Sequence, residues 1–160
     1  MSLLAIRALS AHLVALFCVL LAITAVPASK ASDDLNLNVQ LIWGTDESKP
    51  NDPELKDVDA KLKEKLCRVF KWKNYFQVAE KKAEVAKSGS KRFRLSPKCE
   101  VEITHVDDNN LEIKLFGEGR PAGTLRKSIK SLTSGELGVL SGDDKQKYGD
   151  AWFVVVSSAK

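Results

Sequence analysis

Histidine is almost missing from this chain, with only His12 and His105 among 160 residues. A multi-histidine metal centre is thereby excluded, since such a site draws several imidazoles together. Cysteine is scarce too, at Cys18, Cys67 and Cys99. No C-x-x-C pair and no zinc-type spacing occurs, so neither dithiol redox chemistry nor a structural zinc site is indicated. No phosphate-cradling glycine loop is present. Gly117-Glu118-Gly119-Arg120-Pro121-Ala122-Gly123 misplaces the third glycine and inserts Pro121, and it reads as turn glycines. Beyond Val26 there is no apolar run long enough to span a bilayer, which needs about 20 residues. The asparagines open no N-x-Ser/Thr acceptor.

What is present begins with Arg7 and the apolar run Leu13 to Val26 (LVALFCVLLAITAV), followed by the small residues of Val26-Pro27-Ala28 and Ser29-Lys30-Ala31. A positive start, a short apolar segment and a small-x-small site make residues 1–31 an expected signal peptide, cleaved after 28 or 31. Phe17 before Cys18 does not suit a lipidation site. The expectation is an exported protein, periplasmic or extracellular, with residues 32–160 as one domain.

Charge is uneven along that domain. Residues 56–98 carry 14 basic against 5 acidic side chains, whereas 29–55 hold 2 against 6 and 99–160 hold 8 against 10. Arg68, Lys71, Lys73, Lys81, Lys82, Arg92 and Arg94, with Trp72 among them, form a basic stretch interleaved with aromatics. Cations attract polyanions and exposed aromatics stack on flat or sugar-like groups, so these eight residues are a candidate surface for an anionic partner. The alternative for the same residues is core aromatics with a solvated lysine face. An envelope or extracellular protein or an anionic polymer is the expected partner; nucleic acid is not.

Asp52-Pro53 has the character of a helix start, and Leu55, Val58, Leu62, Leu66, Val69 and Phe70 recur at three- and four-residue steps up to Lys71. The remainder alternates in the manner of strands. Leu37, Val39, Leu41 and Trp43 share one parity, as do Cys99, Val101, Ile103 and His105, and then Leu111, Ile113 and Leu115. Phe76 and Val78 are out of phase with Ala83 and Val85, which predicts a bulge near Lys81-Lys82. Ala151 to Val156 is apolar on both parities and predicts a strand covered on both faces. The expected fold is α+β: one amphipathic N-terminal helix packed on a mostly antiparallel sheet of about six to seven strands.

With that helix over the strand of Cys99, a Cys67–Cys99 disulfide is the first reading of the even pair in an oxidising compartment, worth about 3–4 kcal/mol by chain entropy; two buried free thiols are the alternative. Asp46, Glu47, Asp52 and Glu54 do not follow calcium-loop spacing, and Asp143, Asp144 and Asp150 flank a turn. Cys99 and His105 lie six residues apart on one strand, near ~20 Å, too far to act as nucleophile and base. No catalytic, cofactor-binding or metal residue is assigned.

Leu41-Ile42-Trp43-Gly44-Thr45, Phe70-Lys71-Trp72-Lys73-Asn74-Tyr75-Phe76 and Ala151-Trp152-Phe153-Val154-Val155-Val156 resemble an uncharacterised family of small exported bacterial proteins. The resemblance implies no activity or binding residue. The expected topology is similar to the cystatin arrangement, but the Gln-x-Val-x-Gly hairpin of those inhibitors is absent at Gln77-Val78-Ala79. The expected function is a non-enzymatic binding or interaction module; a small secreted hydrolase or protease-inhibitor-like protein is the alternative.

Overall fold

The computed structural model describes residues 34–48, 52–141 and 149–159. The expected signal peptide, with Cys18, and Asp143 and Asp144 lie outside the described residues.

Nine strands make two sheets. One has the order β2 (Lys56–Asp57), β3 (Asn74–Val85), β1 (Leu35–Thr45), β9 (Ala151–Ser158), β8 (Gly138–Ser141). The other runs β4 (Ser90–Ser96), β5 (Cys99–Asp107), β6 (Asn110–Gly117), β7 (Arg120–Ser128). Every pairing is antiparallel. The helices are α1 (Ala60–Cys67) and α2 (Ile129–Thr133). Strand β3 lies against β4 and β7 against β8 across the two seams between the sheets. Leaving aside the two-residue β2, the strands follow one another around a flattened eight-strand barrel that closes where β9 pairs with β1.

Period-two patterning builds its interior. Leu37, Val39 and Leu41 of β1, Val101 and Ile103 of β5, Leu111, Ile113 and Leu115 of β6, and Val154 and Val156 of β9 form one buried core between the sheets. The opposite parity of β9, Phe153 and Val155, points outward with Ile42 and Tyr75 and is covered by Val58, Leu62 and Leu66. Strand β9 is therefore buried on both faces, which its unbroken apolar sequence requires. Each fully buried aliphatic side chain contributes about 1.5–3 kcal/mol of transfer free energy.

The expected α+β fold with one amphipathic helix packed on a sheet is overturned: the described residues are mostly β, and their helices total 13 residues. The helix does not start at Asp52. Lys56 and Asp57 pair with Gln77 and Phe76 of β3, and the Val58 N–H donates to Tyr75 O at 3.3 Å. The chain is extended there, so Asp59 becomes the cap, accepting from the Leu62 N–H at 3.0 Å. Only Leu62 and Leu66 of the supposed stripe are buried from α1, and Val69 beyond it is 76% exposed. The bulge expected near Lys81-Lys82 lies at Val78, skipped between the pairs Leu41–Ala79 and Ile42–Gln77.

The outward face carries an aromatic stack in which Phe70, Trp72 and Phe153 all touch one another, with Phe70 and Phe153 5.1 Å apart and Trp72 5.6 and 5.9 Å from them. The indole N–H of Trp72 donates to Gly149 O at 2.6 Å. Gly44 is the floor of this stack: a Cβ there would sit 2.6 Å from Trp72 Cε3 and 3.2 Å from Phe153 Cε1. Gly44→Ala is expected to displace the stacked indole and to destabilise by about 1–3 kcal/mol, measured by chemical denaturation.

One end of the barrel is closed. Leu132 of α2 is fully buried in the core there, and the Ile129 N–H donates to Asn109 O at 2.8 Å, tying the helix to the β5–β6 turn. His105 is 8% exposed and neither ring nitrogen has a hydrogen-bond partner, although its backbone N–H donates to Gly89 O at 2.8 Å. Unpaired buried polar atoms cost about 1–3 kcal/mol. His105→Leu keeps the backbone bond and removes both orphans, so the melting temperature is expected to rise by several degrees.

Candidate functional site

Among the described residues the other end is open, because the strands separate there. Three of the four register shifts in the barrel fall at this end, at Val78 in β3, Leu95 in β4 and Ala122 in β7. A bulge adds twist and bends its strand, which is why bulges gather at barrel rims. Pro121 is tolerated beside the last of them because β7 is an edge strand of its sheet. Between the splayed ends lies a cavity of about 1110 Å³. Leu41, Leu115 and Val154 form its base, and Val78, Ala122 and Trp152 its walls.

The rim is built from two turns that hold each other. Glu118 and Gly119 both have positive φ, 51° and 79°, as a two-residue type I′ hairpin demands. Glycine adopts this freely; glutamate does so rarely. The Glu118 N–H donates to Lys98 O at 2.8 Å, and its carboxylate meets Lys98 Nζ at 3.1 Å. Arg120 also lines the rim, is exposed, and has no ion-pair partner among the described residues.

Beside this cavity is a second recess of about 320 Å³, lined by Trp43, Asp52, Glu54 and Leu55 and sharing Val78 and Trp152. Trp43 and Trp152 are cross-strand partners, stacked at 5.7 Å, and Trp43 also meets Phe76 at 5.8 Å. The Trp43 indole donates to Asp150 Oδ2 at 2.8 Å, which fixes the ring plane. Trp152, which lines both recesses, is thus backed by Trp43 and, behind that, Phe76.

The basic stretch divides over several surfaces. Arg68, paired with Glu64, and Lys71 and Lys73 belong to α1 and the segment after it, on the outward side of the five-stranded sheet. Trp72 is held in the aromatic stack, so the core reading of that residue is the one observed. Lys81 and Lys82 are exposed neighbours on β3 and point to opposite faces. Arg92 and Arg94 lie on the far side of the barrel, on the outer face of the four-stranded sheet. Both donate to Glu100, at 2.8 and 2.7 Å, and Arg92 also covers the Phe116 ring at 3.9 Å. These bonds hold the Glu100 carboxyl below its usual range. The eight residues do not form a single face.

Cys67 and Cys99 are not joined; both are free. Cys67 ends α1 beside Tyr75, on the outward side of the five-stranded sheet, whereas Cys99 opens β5 and packs on the core between the sheets. A sheet separates them, and sheets stack about 10 Å apart, beyond the reach of a disulfide. Cys99 lines the cavity, and burial, then the neighbouring Glu100, push its thiol up to about 11. Among the described residues no group of three or more His, Cys, Asp or Glu side chains could hold a metal ion, and no helix is long and apolar enough to cross a membrane. No family model, no curated protein and no solved structure matches the chain.

Of the candidate residues named from the sequence, Cys99 alone lines this cavity. Only the Gly117-Glu118-Gly119 turn and the phase change in β3 pointed toward it. Iodoacetamide is expected to label exposed Cys67 well before Cys99. The Cys99 rate should climb with pH until about 11, as the reactive thiolate forms, in peptide-resolved mass spectrometry.

Proposed function

We infer that this protein is a non-enzymatic binding module, working after export in the periplasm or outside the cell, that takes a small apolar ligand into the open end of its barrel. The observation that carries the reading is the cavity itself. Eight-stranded barrels either fill their interior with side chains or hold one small ligand. Here one end is filled by Leu132 and the other is left open, with apolar walls and a few polar groups at the rim, the usual composition of a ligand site. The apolar run after Arg7 supports the compartment. The scattering of Arg68, Lys71, Lys73, Lys81, Lys82, Arg92 and Arg94 favours the cavity over a broad anionic docking face.

The test is the fluorescence of the uncharged dye N-phenyl-1-naphthylamine. Saturable one-to-one enhancement is expected with the purified protein. Ala122→Phe, which fills the cavity from its wall, should abolish it while leaving the melting temperature within a few degrees of the parent. Enhancement unchanged by Ala122→Phe would locate binding elsewhere and end the proposal.

A further inference from the structure

The cavity has a polarity along its length that selects among apolar ligands, and this inference rests on the cavity-binding reading above. Its base, Leu41, Leu115 and Val154, and its walls at Ala122 and the Trp152 ring are uncharged. Its charged lining residues, Lys98, Glu118 and Arg120, all come from the two rim turns. Lys98 and Glu118 neutralise each other at 3.1 Å, leaving Arg120, among the described residues, as the charge over the opening without an ion-pair partner. Its guanidinium offers a planar fork of donors that matches a carboxylate in bidentate geometry.

The depth follows from the strands. On β6 the lining runs from Leu115 to the turn at Glu118, three residues, or ~10 Å at about 3.3 Å per residue. An extended alkyl chain of medium length spans that distance and ends at the rim. The cost of leaving its head in water is avoided only if the head is polar, and the free charge that meets it there is positive.

We propose that the ligand is a medium-chain amphipathic carboxylate, its alkyl tail against Leu41, Leu115, Val154 and Trp152 and its carboxylate on Arg120. The strained Glu118 has a purpose in this arrangement. By holding Lys98 it keeps the neighbouring rim neutral, so that Arg120 alone marks where the head sits. The second recess, with Asp52 and Glu54 beside Trp43, repels the same head and so orients the ligand.

Calorimetric titration of the purified protein with decanoate, decanol and decyltrimethylammonium, each below its micelle concentration, separates the possibilities. Decanoate is expected to bind on the order of tenfold more tightly than decanol, with the advantage shrinking in salt. Arg120→Gln, at an exposed rim position, should erase the difference without changing decanol affinity. Equal binding of acid and alcohol would overturn the carboxylate assignment and leave the apolar cavity standing. Tightest binding of the ammonium compound would overturn it in favour of the acidic recess. Binding of none of the three, together with no dye enhancement, would remove both proposals.

Discussion

The pairing of β1 with β9 is the constraint on which the other features depend. It joins residues 37–44 to residues 151–158 at the middle of the five-stranded sheet, whose inner face then covers the four-stranded sheet around a common core. Both strands are central in their sheet, so both parities of β9 must be apolar, and Phe153, Val154, Val155 and Val156 satisfy this with four consecutive buried residues. The outward parity then needs its own cover. The segment between β1 and β3, carrying Val58, α1 and the Phe70–Trp72 stack, supplies it. The helix is thus not the scaffold on which a sheet is laid. It is a patch over the one part of the barrel whose outer surface is too apolar to face water.

Charge is organised by the same geometry. On the outer face of the four-stranded sheet Arg92, Arg94, Glu100 and Glu102 alternate with the core residues Phe93, Leu95 and Val101, and pair across the strands. Such exposed pairs contribute little to stability. They do engage Arg92 and Arg94, so these two arginines of the basic run already have carboxylate partners. Position and local counter-charge, more than the number of basic residues in a run, decide what a cation can attract.

Much of the strand content is legible in the sequence, because period-two alternation has few other causes. Cys99 to His105 and Leu111 to Leu115 mark β5 and β6, and the doubly apolar Ala151 to Val156 marks a strand covered on both sides. The helix is over-read for an equally physical reason. Leu55, Val58, Leu62, Leu66 and Phe70 all lie on the apolar side of their segment, and a winding extended chain can bury residues three or four apart as a helix does. The β2 pairing with β3 depends on a partner strand twenty residues away, and no local pattern reports it. The opening is the least legible part. Val78, Ala122, Trp152 and Arg120 come from β3, β7 and β9, and what assembles them is a set of bulges. A bulge changes parity by one residue, which in β3 leaves a phase break in the sequence and in β7 leaves only a proline.

Closure by the first and last strands also governs when the protein can exist. The inter-sheet core is complete only once Val154 and Val156 are in place, and those residues lie more than a hundred positions beyond the Leu41 and Val39 they pair with. During synthesis every earlier intermediate has a gap beside β1 and an uncovered apolar face on both sides of it. Such a chain gains little by compacting early, and the long sequence separation of β1 and β9 makes the final step slow. The order of its strands thus makes the core between the sheets wait on its most sequence-distant pairing, so that local hairpins such as β5–β6 form ahead of the complete barrel.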